Sequence, residues 1–256
     1  MLGSLNTAIT GLQAFQQQIN VVGNNIANVN TTGFKTARTD FEDNFSQALA
    51  GSGTNVQVGS GVSLAAIPNN FNQGTISSTG VGSDLAIAGQ GFFTVRNSVD
   101  STMYATRAGD FHLDSAGYLI TTDGLRVQGV AGDLQVDPVT VASFSIDQKG
   151  FINVVKKDGT LAVSGQVQLT SFPDPSQLVK QGDNRYSWTA TAGTPIVGVP
   201  QTNGLGTLQS GALELSNVDL TSEMSNLIIA QRAFQASARI ITTSDEMLQE
   251  IVNLKR

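Results

Sequence analysis

No cysteine occurs in the 256 residues, which excludes disulfides, thiolate catalysis and Cys-ligated zinc or iron–sulfur sites. The single histidine, His112, leaves no second imidazole for a two-histidine metal site. It alternates with Phe111 and Leu113, the spacing of an exposed strand position. Charge is scarce too: 13% of residues are ionisable Asp, Glu, Lys or Arg, against about 25% in ordinary globular domains. Asn, Gln, Ser, Thr and Gly must therefore wet much of the surface, which favours dense packing among neighbours over a lone, charge-solubilised enzyme. Fourteen basic residues against twenty acidic ones give a net charge of −6, without the clustered Lys and Arg that a phosphate backbone requires. Nucleic acid is not an expected partner. No run of eighteen apolar residues occurs, and no basic segment followed by an apolar stretch and a cleavage site opens the chain. Neither membrane insertion nor Sec-type export is expected.

Residues 1–34 contain no Asp, Glu, Lys or Arg, and their apolar residues recur every seventh position in two series. Leu5, Leu12, Ile19 and Ile26 form one; Ala8, Phe15, Val22 and Val29 form the other, offset by three. This heptad seam predicts a helix that pairs with another helix. The opposite face, Gln13, Gln16, Gln17, Asn20 and Asn24, is polar yet uncharged, where soluble coiled coils carry Glu and Lys. Near the other end, Leu220, Leu227, Phe234, Ile241 and Leu248 again fall seven apart, with Met224, Ala238 and Val252 four residues after members of that series. Asp219 is placed to cap this second helix, Glu223 suits its first turn, and Lys255 and Arg256 suit its last. Two such helices most simply pair with each other.

Between them, Gly and Asn are frequent from Asn28 to Thr75. Gly51-Ser52-Gly53 and Gly59-Ser60-Gly61 suggest an extended stretch in which Val56, Val58, Val62 and Leu64 alternate as short strands. From Asp84, strands are expected at 85–87, 92–95, 104–107, 118–120, 151–155 and 167–169. Turns at Asp114–Gly117, Asp123-Gly124, Asp147–Gly150 and Asp158-Gly159 separate them, with Asp closing the local hydrogen bond and Gly supplying positive φ. The expected fold is α+β: heptad helices over 1–34 and 216–256 pairing as a coiled coil, an extended linker over 35–75, and a mainly antiparallel β-domain over 76–215.

Sites for chemistry are sparse. Gly89-Gln90-Gly91 leads into a strand, so no helix N-terminus is presented to a phosphate. Each acidic turn offers one carboxylate where calcium needs six to eight oxygens. Asp84, Asp110, Asp123 and Asp183 could converge as a hydrolytic pair, although such residues are more often turn formers. Trp188, with Tyr186 beside Arg185, could stack on a sugar or base, although a lone Trp is more often packing. No catalytic residue, metal or cofactor is expected.

Asn24-Asn25-Ile26-Ala27-Asn28, followed by Thr31-Thr32-Gly33-Phe34-Lys35, resembles the N-terminal signature of the bacterial flagellar axial proteins, the rod and hook family. Ser216–Leu220 with Glu223, then Ala230-Gln231-Arg232-Ala233-Phe234, resembles the family's C-terminal signature. Asp84–Phe93 and Thr106–Phe111 are similar to the segments that open its β-domain. The resemblance implies a structural subunit whose terminal helices form the inner tube of a hollow helical shaft that transmits torque. It also implies export through the flagellar type III apparatus and partners among copies of itself, other rod and hook proteins and ring proteins. Asn24, Asn25, Ala27, Asn28, Thr31, Gly33, Phe34 and Lys35 are then the candidate assembly motif. One β-domain leaves no space for the added outer domain of many hook proteins, which favours a distal rod member, with a minimal hook protein as the alternative. A cell-wall hydrolase would need a further catalytic domain, and a carbohydrate-binding module would not need terminal heptads.

Overall fold

Heptad spacing and the absence of proline let α1 run unbroken over Leu2–Ala27, and α2 runs over Leu220–Leu254. The computed structural model describes residues 2–44, 47–48 and 57–254; Gly51-Ser52-Gly53, Val56 and the Lys255-Arg256 end lie outside them. The fold is α+β, with mostly antiparallel strands between the two helices. Two units form, one of Met1–Asn28, Thr36–Asn70 and Val218–Arg256, the other of Val29–Lys35 and Phe71–Asn217.

In the first unit, α1 stops at Ala27, short of the expected Phe34, so Val29 falls outside the helix. The cause is local. The Asn28 side-chain amide folds back to donate to the Asn24 carbonyl at 2.9 Å and to its Oδ1 at 3.0 Å, and residues 28–30 turn. Such side-chain bonds compete with helix propagation. α2 starts at Leu220, inside the expected 216–256 segment, where Asp219 caps it as expected: Asp219 Oδ1 accepts from the Thr221 N–H at 3.0 Å, and Glu223 stands in the first turn.

The helices pack on each other, and the packing corrects the expected seam. Gly11 faces Ser237 so closely that an added Cβ would lie 3.4 Å from its Oγ. The most buried positions of α2 are Ala230, Ser237 and Ser244, seven apart and three residues after Leu227, Phe234 and Ile241. The expected flanking series is not the buried one, since Met224 and Val252 are exposed. Leu227, Ile241 and Leu248 are half-buried; Leu220 and Phe234 lie more open. On α1, Ala8 and Val22 are buried, and Leu5, Leu12, Phe15, Ile19 and Ile26 are half-buried. Small residues at the contact let two backbones approach, and larger ones close its sides.

Direction follows from chain reach. The Gly33 N–H donates to the Glu214 carbonyl at 2.8 Å, and Ala27 and Leu220 each lie six residues from that bond. At about 3.5 Å per residue, stretched connections hold those helix ends within about 45 Å. Parallel helices with Gly11 beside Ser237 would set them about 50 Å apart along the axis at 1.5 Å per residue. α1 and α2 are therefore antiparallel. Seven-residue steps from Gly11 and Ser237 then bring Gln18 level with Ala230 and Asn25 level with Glu223.

Strands Asp40–Asp43 and Val62–Ala66 pair antiparallel, and Gln47–Ala48 pairs with Gln57–Val58. Val62 and Leu64 thus lie in a strand as expected. Thr10 Oγ1 of α1 accepts from the Val62 N–H at 3.4 Å, and Phe15 meets Phe41 edge-on at 6.5 Å.

In the second unit, strand Phe92–Arg96 is central to an antiparallel sheet, pairing with Met103–Thr106, Arg126–Gly129 and Leu169–Ser171. A three-stranded sheet, Val141–Ile146, Phe151–Lys156 and Leu161–Gln166, encloses the main core with it around Leu85, Phe93, Val127, Ile152 and Leu169. Val167 enters only an isolated bridge, so the strand expected there begins at Leu169. A smaller core gathers Phe92, Phe172, Leu178 and Tyr186, and Trp188 packs on Phe172 with centroids 5.4 Å apart. The turns at Asp114 and Asp147 close on those residues' carbonyls, to Gly117 and Gly150 at 2.8 Å each. At Asp123 and Asp158 the accepting carbonyls belong instead to Thr121 and Lys156, at 2.9 Å each.

Candidate functional site

The candidate motif divides into two parts with different jobs. In its helical part, Asn25 is buried and makes a two-way bond with one backbone residue: its Nδ2 donates to the Ala37 carbonyl at 2.8 Å, and its Oδ1 accepts from the Ala37 N–H at 3.1 Å. An amide can satisfy a donor and an acceptor at once, as a carboxylate cannot. Asn24 is exposed and serves Asn28, and Ala27 is the exposed last residue of α1.

In the second part, residues 29–35 enter the β-rich unit, and Glu214 holds them. Its backbone carbonyl accepts from Gly33, and its Oε1 accepts from Lys35 Nζ at 2.6 Å and from the Gly74 N–H at 2.8 Å. Its Oε2 accepts from Arg107 Nη1 at 3.1 Å. Lys35 also donates to the Asn72 carbonyl at 2.8 Å, and Arg107 Nη2 to the Gly89 carbonyl at 2.8 Å. The Lys35 and Glu214 side chains have no exposure, and that of Arg107 has 3%. Two cations thus share one buried carboxylate. Burial pulls Lys35 below its ordinary pKa, with Glu214 opposing and Arg107 reinforcing that shift. Arg107 is lowered likewise by burial against the pull of Glu214, and burial raises the neighbouring Tyr186 phenol.

Shape reinforces charge. Gly33 sits at φ +66°, where an added Cβ would come within 2.5 Å of the Ala108 nitrogen, so no other residue fits without displacing backbone. Phe34 is buried under Lys180, whose Nζ stands 4.6 Å from the ring centroid and donates to the Lys35 carbonyl at 3.1 Å. The carbonyl of Thr31 accepts from the Phe34 N–H at 3.4 Å. Asn184 Nδ2 holds the Thr32 carbonyl at 2.7 Å.

Glu214 and Arg107 complete this cluster, and motif reading alone does not single them out as its partners. Glu214 carries a usable signal: it falls two residues after Ala212 on the buried face of strand Ala212–Glu214, and a carboxylate there needs a buried cation.

The other candidates are spoken for. Asp110, Asp123 and Asp183 do line one polar cleft, with Thr31, Asn184 and Arg185. Asp110 accepts from Thr122, and Arg185 Nη2 bonds Asp183 at 2.6 Å. Asp84 takes the Thr79 hydroxyl at 2.5 Å. Among the described residues no group of three or more His, Asp or Glu could hold a metal ion. His112 is exposed on strand His112–Leu113.

Three family models match this chain: "Flagella basal body rod protein" over residues 5–35, "Flagellar hook protein FlgE/F/G D1 domain" over 86–154, and "Flagellar basal body rod FlgEFG protein C-terminal" over 209–254. The first contains the whole motif and the third contains Glu214. The chain is 44% identical to the flagellar basal-body rod protein FlgG of Bacillus subtilis and 36% identical to that of Borreliella burgdorferi, each alignment covering 100% of both proteins. With the flagellar hook protein FlgE of Borreliella burgdorferi the identity is 26% over 443 aligned positions, so that protein carries long segments absent from this one. The chain belongs to the flagellar rod and hook protein family, and the two relatives that it matches at 44% and 36% identity over their full length are basal-body rod proteins.

Proposed function

We propose that the chain is a structural subunit of the distal part of the flagellar basal-body rod, polymerising with copies of itself into a hollow helical shaft that carries torque and passes exported subunits. The carrying observation is the full-length match to basal-body rod proteins, made without the long extra segments of the hook relative. The geometry supports the same reading. The β-rich unit has its own core, whereas α1 and α2 leave large apolar side chains uncovered, including Ile228, Ile229 and Ile251. A polymer covers such faces.

The motif Asn24–Lys35 has a definite task here. It ends α1 and threads the next residues into a site shaped by Gly33 and closed by Lys35 and Glu214, so that every copy leaves its helix at the same place. The subunit reaches its position by type III flagellar export, lies outside the cytoplasm, and has other rod proteins, hook proteins and ring proteins as neighbours. It performs no catalysis and uses no cofactor, nucleic acid or membrane insertion.

The test is complementation of a strain lacking this protein, with detached basal bodies labelled for the chain. Label on the shaft at or below the outer rings is expected. Label only beyond the rings would make it a hook protein, and motile cells without it on any shaft would overturn the structural reading.

A further inference from the structure

α2 carries a second apolar stripe besides the one on α1. Ile229, Ala233, Ala236, Ile240 and Met247 follow one another at steps of four, three, four and seven residues, the spacing of a helix-pairing seam, whereas Ile251 continues the contact line seven residues after Ser244. Three of these are large, and Ile229, Ile240 and Met247 are about half or more exposed, at 62%, 47% and 51%. Arg232, Arg239 and Glu246 stand one position before seam residues, and the far end of the stripe opens into a shallow groove lined by Met247 and Ile251.

α1 has a matching unused face. Asn6, Ile9, Gln13, Gln16, Asn20 and Gly23 repeat at alternating steps of three and four residues, all are exposed, and none is charged. We infer that this face of α1 from a second copy of the chain lies along the Ile229–Met247 stripe of α2. The inference rests on the polymer reading above.

Three arguments select that occupant. A stripe meeting its own equivalent would make a two-fold contact that closes on a dimer, whereas an open helical polymer needs two different surfaces to meet. The lengths agree, since at 1.5 Å per residue the stripe spans about 27 Å and the α1 face from Asn6 to Gly23 about 26 Å. Charge agrees as well. The amides of Gln13, Gln16 and Asn20 can donate to Glu246 and accept from Arg232 or Arg239, while their methylenes cover isoleucine. A second α2 would bring ionised groups to be desolvated there.

The natural chain has no cysteine, so introduced thiols report cleanly. Ile240→Cys copies would be expressed together with Asn6→Cys, Gln13→Cys or Asn20→Cys copies in a strain lacking the protein, and isolated shafts would be oxidised. Positions seven residues apart sample α1 about every 10.5 Å, so at least one of the three should give a disulfide-linked dimer that needs both variant copies, identified by its cross-linked peptides. Ala236→Cys is the second α2 variant should Ile240→Cys not assemble. Dimers from Ile240→Cys copies alone, or thiols on the stripe that an impermeant maleimide labels fully in intact shafts, would overturn the inference. Failure of the unsubstituted chain to appear in any shaft would instead overturn the rod reading.

Discussion

The paired helices and the β-rich unit solve the problem of burying apolar surface in opposite ways. The β-rich unit closes on itself: Leu85, Phe93, Val127 and Leu169 have no exposure, and even its ion cluster is sealed. The helices close only in part, with small residues at their contact and isoleucines left outside. A surface that a single copy leaves unfinished is a specification for a neighbour, and a surface finished within one copy is a rigid body to be carried. The most informative perturbations separate those two roles.

The largest effect is expected inside the finished unit. Glu214→Gln leaves Lys35 and Arg107 buried together without an anion, and breaking a buried ionic cluster in this way costs about 3–5 kcal/mol. Lys35→Met removes the surplus cation and leaves Arg107 paired with Glu214 at 3.1 Å, so its loss should be clearly smaller. Denaturant unfolding of the full chain measures both. Equal losses would mean that Lys35 and Arg107 do not share the carboxylate as one cluster.

Next comes the unfinished unit. Gly11→Leu inserts a side chain where Ser237 Oγ is already 3.4 Å from the position of a Cβ. Overpacking of this kind costs about 1–3 kcal/mol, here against a helix pair whose stability depends on that contact. Helical circular dichroism should fall while the Trp188 fluorescence of the β-rich unit stays native. Unchanged helicity would show that α1 and α2 do not meet along the small-residue line.

The same contrast explains which parts of the fold were legible from residues alone. Large apolar residues at seven-residue spacing announce both helices, and the Asp-to-Gly turns announce the β-domain, because both signals are local. The contact line of the helix pair is carried by Gly11, Ala230, Ser237 and Ser244, whose small size makes them quiet in a hydrophobic pattern. Reading Met224 and Val252 as flanking members followed bulk, and packing followed smallness. The motif from Asn24 to Lys35 is legible as a signature, but its chemistry is not, because Lys35 is 179 residues from Glu214. No local spacing links them. The usable trace is a charged residue on an apolar face, present at Glu214 in strand Ala212–Glu214.

A smaller, pH-dependent effect is expected at Asp133. Arg96 donates to both of its carboxylate oxygens, at 3.1 and 2.6 Å, and Arg126 and Gln128 add one bond each. Burial pushes its pKa up, but these bonds outweigh that and hold it below the usual range. The unfolded chain therefore binds the proton more readily. The contribution is complete above the unfolded value of about 3.9 and is lost as pH falls through the lower folded value. Asp133→Asn should destabilise the protein at neutral pH, by about 1 kcal/mol for a partly exposed charged network, and the gap from the natural chain should narrow at about pH 2–3. A gap independent of pH would mean that packing, not ionisation, is what Asp133 contributes.

The smallest effect is expected at His112, the residue type that most often carries catalysis. Its side chain is exposed, its strand is two residues long, and its cross-strand neighbour is Ile120. Among the described residues no cluster around it could hold a metal. His112→Ala should change stability by no more than about 0.5 kcal/mol, as exposed substitutions away from special features do. It should also leave swimming speed and the amount of protein in isolated basal bodies unchanged. The two readouts separate two kinds of failure. Slow swimming with normal incorporation would give His112 a role in the working shaft that a purely structural subunit does not need. Reduced incorporation would place this edge of the β-rich unit at a contact between subunits, making it an unfinished surface like the helices.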